Sequence, residues 1–175
     1  MRAFIALDFP PEINSYVKGI QEQLFGTLGL SIASSLHLTL KFLGEISESK
    51  ENEIKDALSG VVLKRFSCVI SSQGVFPGYN KPRVIWLGLK SDSLIELNRK
   101  IDDALIPLGF SRESFSPHVT LARVKFIKDL DILIARIKGL KTEEKSFPVS
   151  EFFLKKSVLS EKAPIYENLS GFSLQ

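Results

Sequence analysis

The chain is poor in the residues that build covalent and metal-held frameworks. Its one cysteine, Cys68, sits in an apolar run, so no intramolecular disulfide can form and no cysteine cluster with zinc spacing exists. A buried structural thiol in a reducing compartment is the expectation. Two histidines are too few to furnish alone the usual three protein ligands of a catalytic zinc site, so neither a metal nor any other cofactor is expected. No stretch approaches the ~20 apolar residues of a membrane span. The apolar start is broken at Asp8, too early for a signal segment, so a cytoplasmic protein without membrane contact is expected. There is no G-x-x-x-x-G-K-[ST] loop to cradle the phosphates of ATP. A net charge of +3 over 175 residues would help attract an anion, but it lacks the dense basic surface of a dedicated nucleic-acid binder. With 44% hydrophobic and 25% charged residues, the composition is that of an ordinary globular protein long enough to bury one core.

What the chain does have is a repeated context for both of its histidines, His37-Leu38-Thr39-Leu40 and His118-Val119-Thr120-Leu121. Only four threonines occur, and two of them stand two positions after a histidine. In an extended strand residues i and i+2 share a face, so each motif presents an imidazole beside a hydroxyl. Leu36, Leu38 and Leu40, and likewise Val119 and Leu121, would then face a core.

The spacing predicts strand 3–7, a helix opened by Pro10-Pro11-Glu12, the first histidine strand at 36–42, a helix at 48–60 and a strand at 65–71. The turn-rich stretch from Gly74 to Pro82 closes this half. A strand at 84–89 follows, then a helix announced by a Ser93-x-x-Glu96 capping box and closed by Gly109. The second histidine strand lies at 117–124, a helix at 129–138 ended by Gly139, and a strand at 147–153. Two further strands, 155–159 and 165–173, lack counterparts in the first half.

His37 and His118 are 81 positions apart, and so are Arg2 and Arg83, Ile13 and Leu94, Ile20 and Ile101, Leu24 and Leu105, and Phe66 and Phe147. A shared offset running through helices, strands and motifs is explained by internal duplication. The expectation is a single α+β domain over 1–175. Its repeat halves, 1–80 and 81–155, would form two pseudo-symmetric sheet-plus-helix lobes around a central groove, each lobe carrying one H-x-T motif. The agreement weakens in the second helix, where Ile54 falls opposite Ala135.

Two imidazoles can be neutral and protonated at one working pH, because the unperturbed pKa of histidine lies near 6.5. On opposite sides of a phosphorus, one takes a proton from water while the other gives one to the departing oxygen. The threonine hydroxyls donate to the non-bridging oxygens.

His37-Leu38-Thr39-Leu40-Lys41-Phe42-Leu43-Gly44 and Pro117-His118-Val119-Thr120-Leu121-Ala122-Arg123 resemble the twin motifs of the two-histidine (2H) phosphoesterase superfamily. Within it the chain resembles the bacterial and archaeal RNA 2′,3′-cyclic phosphodiesterases, also described as 2′-5′ RNA ligases. Arg2-Ala3-Phe4-Ile5-Ala6-Leu7, Arg83-Val84-Ile85-Trp86-Leu87-Gly88 and the segment from Lys156-Ser157 to Pro164-Ile165-Tyr166-Glu167 extend the likeness nearly end to end. The resemblance implies metal-free hydrolysis of RNA 2′,3′-cyclic phosphate ends to 2′-phosphates. It implies His37 as proton donor to the leaving 3′ oxygen, His118 as the base that activates water, and Thr39 and Thr120 as holders of phosphate oxygens. The reverse reaction, with a 5′-hydroxyl as nucleophile, would give a 2′-5′ linkage.

Arg123 matches a basic residue of the family and is a candidate phosphate clamp. On an ideal strand it would point away from His118, so a bulge or strand end has to redirect it. Lys41, read on the His37 face, is a candidate for steering phosphate. Tyr166, Phe76 and Tyr79 are candidates for stacking on a base, while Trp86, within an apolar strand, is expected in the core. The partner is an RNA end or a small nucleotide with a cyclic phosphate, and a monomer is expected. The alternatives are an esterase for another nucleotide, such as a cyclic phosphate of ADP-ribose or a 2′-5′ oligoadenylate, and a nucleotide-binding module without catalysis.

Overall fold

The computed structural model describes residues 1–160 and 163–175. Among them one sheet of nine strands and four α-helices account for most of the chain. In chain order they are β1 (Arg2–Asp8), α1 (Pro11–Glu22), β2 (Leu30–Ile32), β3 (His37–Glu45), α2 (Glu48–Ser59), β4 (Phe66–Phe76) and β5 (Val84–Lys90). There follow α3 (Asp92–Leu105), β6 (His118–Val124), α4 (Leu130–Lys138), β7 (Lys145–Val149), β8 (Glu151–Val158) and β9 (Ile165–Ser173). The fold is α+β, as expected.

The strand order is β7-β4-β5-β6-β3-β1-β8-β9, with β2 beside β6, and the pairs are antiparallel. Only Ser150 separates β7, at one end of that order, from β8, next to the other end. Six steps of ~4.8 Å between neighbouring strands would leave roughly 29 Å for one residue to cross in a flat sheet. A residue spans about 3.5 Å, so the sheet curls. Each motif strand is flanked by a strand from its own half, and the next place out is taken by a strand of the other half. Thus β8 lies beside β1, and β4 beside β5. Residues 81 apart meet directly at two points, Leu38 with Val119 and Ser67 with Pro148.

The helices bury one stripe each against one side of the sheet. Ile13, Val17 and Ile20 of α1, Leu94, Leu97 and Ile101 of α3, Ile54 and Leu58 of α2, and Leu133 and Ile137 of α4 join Ile5, Leu7, Leu38, Leu40, Val119 and Leu121 in one core. The other side chains of β1, β3, β5 and β6 look the opposite way, into the concave face.

Several expected boundaries shift. The cap of α3 is Ser91, without a side-chain bond, rather than the Ser93 box, and a 3₁₀ turn at Ile106–Leu108 separates the helix from Gly109, whose φ of 90° suits glycine. The strands expected at 147–153 and 155–159 are instead β7 and β8, broken at Ser150 where the chain leaves β4 for β1. The short strand β2 had no sequence signal. It carries three residues and is held by its pairing with β6.

Lys41 is corrected as well. Between the pairs Ala6–Thr39 and Ile5–Lys41 the ladder slips by one, leaving Leu40 as a bulge, so Lys41 turns to the helix side. It is 5% exposed, and its Nζ donates to Asp102 Oδ1 at 2.6 Å and to the Ser111 carbonyl at 2.6 Å. Removing one partner of a buried pair leaves an uncompensated charge, which costs about 3–5 kcal/mol. Asp102→Leu is expected to destabilise by that amount in chemical denaturation, and Lys41→Met combined with Asp102→Leu to recover most of it. Equal stability of Asp102→Leu and the wild type would show that the pair does not hold this corner.

Candidate active site

The two motifs lie on adjacent strands, joined at Leu38 and Val119. Antiparallel continuation of that register aims His37 toward Thr120 and Thr39 toward His118. All four are half-buried, on the side of the sheet opposite the helices. Among the described residues no hydrogen bond engages either threonine hydroxyl, so both are open to a ligand's oxygens.

The histidines differ in support. His118 Nδ1 lies 2.7 Å from the Ser116 carbonyl. A carbonyl only accepts, so Nδ1 carries the proton and the neutral ring presents a lone pair at Nε2. Burial, chiefly, and then the guanidinium of Arg123 push the His118 pKa below its ordinary value, against the pull of Ser116. His37 Nδ1 is buried and has no hydrogen-bond partner among the described residues. Its pKa falls to about 4, first by burial and then by the Lys155 ammonium, while Asp8 and the Ser35 carbonyl oppose the fall. A protonated His118 would lower it further, as two cations in one site repel.

Aromatic rings wall both sides. Phe4 and Tyr166 lie 5.2 Å and 5.0 Å from His37, centroid to centroid, Tyr166 edge-on. Phe76 stands edge-on to His118 at 4.9 Å, and Trp86 is 6.4 Å from it. Trp86 is therefore not a core residue as expected. Its ring lies over Gly74, where any Cβ would fall 2.3 Å from ring atoms, so only glycine leaves room for the indole there. Tyr79 sits under the Lys138 ammonium at 5.0 Å and packs on the core, away from the histidines.

Arg123 comes to the histidine face by the device its position demands. The β5–β6 ladder slips between Ile85–Ala122 and Trp86–Thr120, leaving Leu121 as a bulge, and Arg123 emerges exposed opposite Val84. The same bulge at Leu40 brings out Phe42, 65% exposed, at the matching position of β3.

The arrangement matches known proteins. A family model described as the 2′-5′ RNA ligase superfamily covers residues 9–159. The chain belongs to that superfamily. The RNA 2′,3′-cyclic phosphodiesterase of Methanocaldococcus jannaschii is 37% identical over 171 residues, 95% of this chain and 97% of that one. The protein of the same name from Archaeoglobus fulgidus is 37% identical over 176 residues, 98% and 99% of the two chains. Among solved structures, TT0787 of Thermus thermophilus superposes with a TM-score of 0.85 at 25% identity, covering 99% and 97%. Escherichia coli LigT complexed with 3′-AMP superposes with a TM-score of 0.79, at 25% identity and the same coverage.

In this member of the superfamily the site holds side chains that pattern reading passed over. Lys155, 7% exposed, donates to Asp8 at 2.7 and 2.9 Å, and Asp8 pairs with His37 across β1 and β3. Nothing local marks Lys155, because β8 joins β1 through the curl. Asp8 and Phe4 share a face of β1, and that alternation was the available signal. Among the described residues no group of three or more His, Cys, Asp or Glu is placed to hold a metal, and no helix is long and apolar enough to cross a membrane.

The depressed proton affinities have a sign. An unfolded histidine protonates near 6.5 and folded His37 near 4, so the unfolded state binds more protons in between, and stability falls as pH drops through that window. Denaturation midpoints are expected to decline from pH 6.5 to 4, and His37→Gln to flatten part of the slope. A His37 ring titrating at 6.5 by NMR would overturn the assignment.

Proposed function

We propose that the chain hydrolyses 2′,3′-cyclic phosphate ends of RNA to 2′-phosphates without a metal, with a 5′-hydroxyl able to replace water and give a 2′-5′ linkage. The observation that carries the reading is the pair of half-buried imidazoles on adjacent strands, each accompanied by a free threonine hydroxyl, in a chain of this superfamily.

His118 is the proton acceptor. Its Nδ1 proton is committed to Ser116, which leaves Nε2 to take the proton of the attacking water. The water oxygen bonds to phosphorus, the bond from phosphorus to the 3′ oxygen breaks, and His37 delivers a proton to that oxygen. In the free protein His37 is neutral at pH 7. The negative phosphate, arriving beside it, favours the charged ring and populates the donor form in the complex. Thr39 and Thr120 donate to the non-bridging oxygens, and Arg123 clamps them from the far end of β6. Tyr166, Phe76 and Trp86 frame the nucleoside and exclude water around the phosphate.

The intact motifs on both strands favour an enzyme over a binding module, since binding alone needs no pair of proton carriers. The chain is read as a cytoplasmic monomer, in keeping with Cys68, whose buried thiol is pushed up to about 11 and is inert.

The test is an RNA oligonucleotide ending in a 2′,3′-cyclic phosphate, incubated in EDTA with wild type, His37→Ala and His118→Ala. Wild type is expected to yield the 2′-phosphate, each variant to lose roughly 10²–10⁴-fold in kcat, and the kcat profile to be bell-shaped in pH. A folded wild type that turns over only another cyclic nucleotide would move the reading to that substrate. Binding without any turnover would reduce it to a nucleotide-binding module.

A further inference from the structure

Both residues that emerge beyond the motifs, Phe42 and Arg123, owe their direction to a one-residue bulge, and each bulge is pinned from behind by a buried amide. Asn98 Nδ2 of α3 donates to the Leu40 carbonyl at 2.9 Å. Gln21 Nε2 of α1 donates to the Leu121 carbonyl at 2.9 Å and, with its second proton, to the Ala33 carbonyl at 2.9 Å. Gln21 is 4% exposed and Asn98 9%. A bulge carbonyl leaves the regular ladder and needs a donor where it is buried, and a helix-borne amide supplies one. The two halves meet this need differently. The position 81 after Gln21 is Asp102, which holds Lys41, while Asn98 lies one helical turn earlier.

The geometry points to Gln21 as the positioning residue of the phosphate clamp: it fixes the bulge at Leu121 and thereby the stance of Arg123. The bulge on β3 has a second lock, because Lys41 next to Leu40 is tied to Asp102 and to the Ser111 carbonyl. The bulge on β6 has Ala122 at the matching place, which carries no polar group. The Leu121 carbonyl is held by the Ala33 amide at 2.9 Å and by Gln21. Ala33 in turn opens the segment Ser34-Ser35-Leu36 that leads into His37. One side chain therefore ties the backbone before the first motif to the backbone just after the second. Without its two donors the bulge at Leu121 keeps only the Ala33 amide and the short β2 ladder on this side, and a return toward regular alternation would swing Arg123 toward the core side. The inference rests on Arg123 holding phosphate.

The experiment is a double-mutant cycle between Gln21→Met, which keeps length and loses both donors, and Arg123→Ala. It is read in kcat/KM on the cyclic-phosphate oligonucleotide and in affinity for adenosine 3′-monophosphate. Gln21→Met alone is expected to cost roughly ten- to a hundred-fold in kcat/KM, the scale of a ~1 Å misplacement of a positioning group. In the Arg123→Ala background it is expected to cost less than about two-fold, because its target is gone. An equal loss in both backgrounds would make Gln21 a supporter of the fold alone and overturn the inference, as would no loss in either. A wild type without turnover would sink the hydrolase reading by itself, and the cycle would then be decided on the nucleotide affinities. Should Gln21→Met fail to fold, Gln21→Leu, which also lacks donors, takes its place in the cycle.

Discussion

The join between β3 and β6 is the narrowest part of the sheet, with one register pair, Leu38 with Val119, where β1 and β3 share seven. Both residues are fully buried, so packing from the core beneath holds the strands together as much as the ladder does. Each histidine precedes one member of that pair. If the join opened, the imidazoles would part, and the proposed acid–base pair would be lost. The flanking elements act on this seam. The ladders of β1 and β5 brace it from either side, α1 reaches across to the β6 backbone, and α3 does the same for β3.

A strict alternation of side chains would follow the histidine and threonine of each motif with Lys41 on β3 and Ala122 on β6. The bulges at Leu40 and Leu121 replace these third residues by Phe42 and Arg123, and they make the halves unlike. One bulge presents an apolar ring, Phe42, and the other a guanidinium, Arg123. A cyclic nucleotide is itself two-sided, with a base and an anionic phosphate, so a nearly symmetric frame with one asymmetric position suits it.

Electrostatics run against what naked histidines would do. Burial and the neighbouring cations Lys155 and Arg123 favour the neutral rings before substrate arrives. Desolvation is the larger cause for both, which follows from aromatic walls on either side: Phe4 and Tyr166 for His37, Phe76 and Trp86 for His118. The rings proposed to frame a nucleoside are thus the same ones that desolvate both imidazoles. On the proposed mechanism, the anionic phosphate then favours a protonated His37, its proton coming from solvent.

The H-x-T motifs, the alternation placing His37 with Thr39 and His118 with Thr120, and most helices and strands were legible in the sequence, because period-2 and period-3.6 burial are local properties of the chain. The need for a bulge before Arg123 was legible too, since i+5 has the wrong parity on a regular strand. Lys41 was misread for the same reason in reverse: nothing nearby signals that β3 slips at Leu40. The cause lies on α3, where Asn98 and Asp102 wait for it. Trp86 was misplaced because its strand reads as apolar, and only the register of β5 against Gly74 and His118 shows which face the ring occupies. Lys155 enters the site through a sheet that curls to bring β8 beside β1. The sequence by itself determined the chemistry available, two imidazoles with two hydroxyls, since residue type and spacing suffice for that. The tertiary structure decided which cations, rings and amides surround them, because those contacts join residues far apart in the chain, up to 147 positions for Asp8 and Lys155, and packing and hydrogen bonding across such distances leave no local trace.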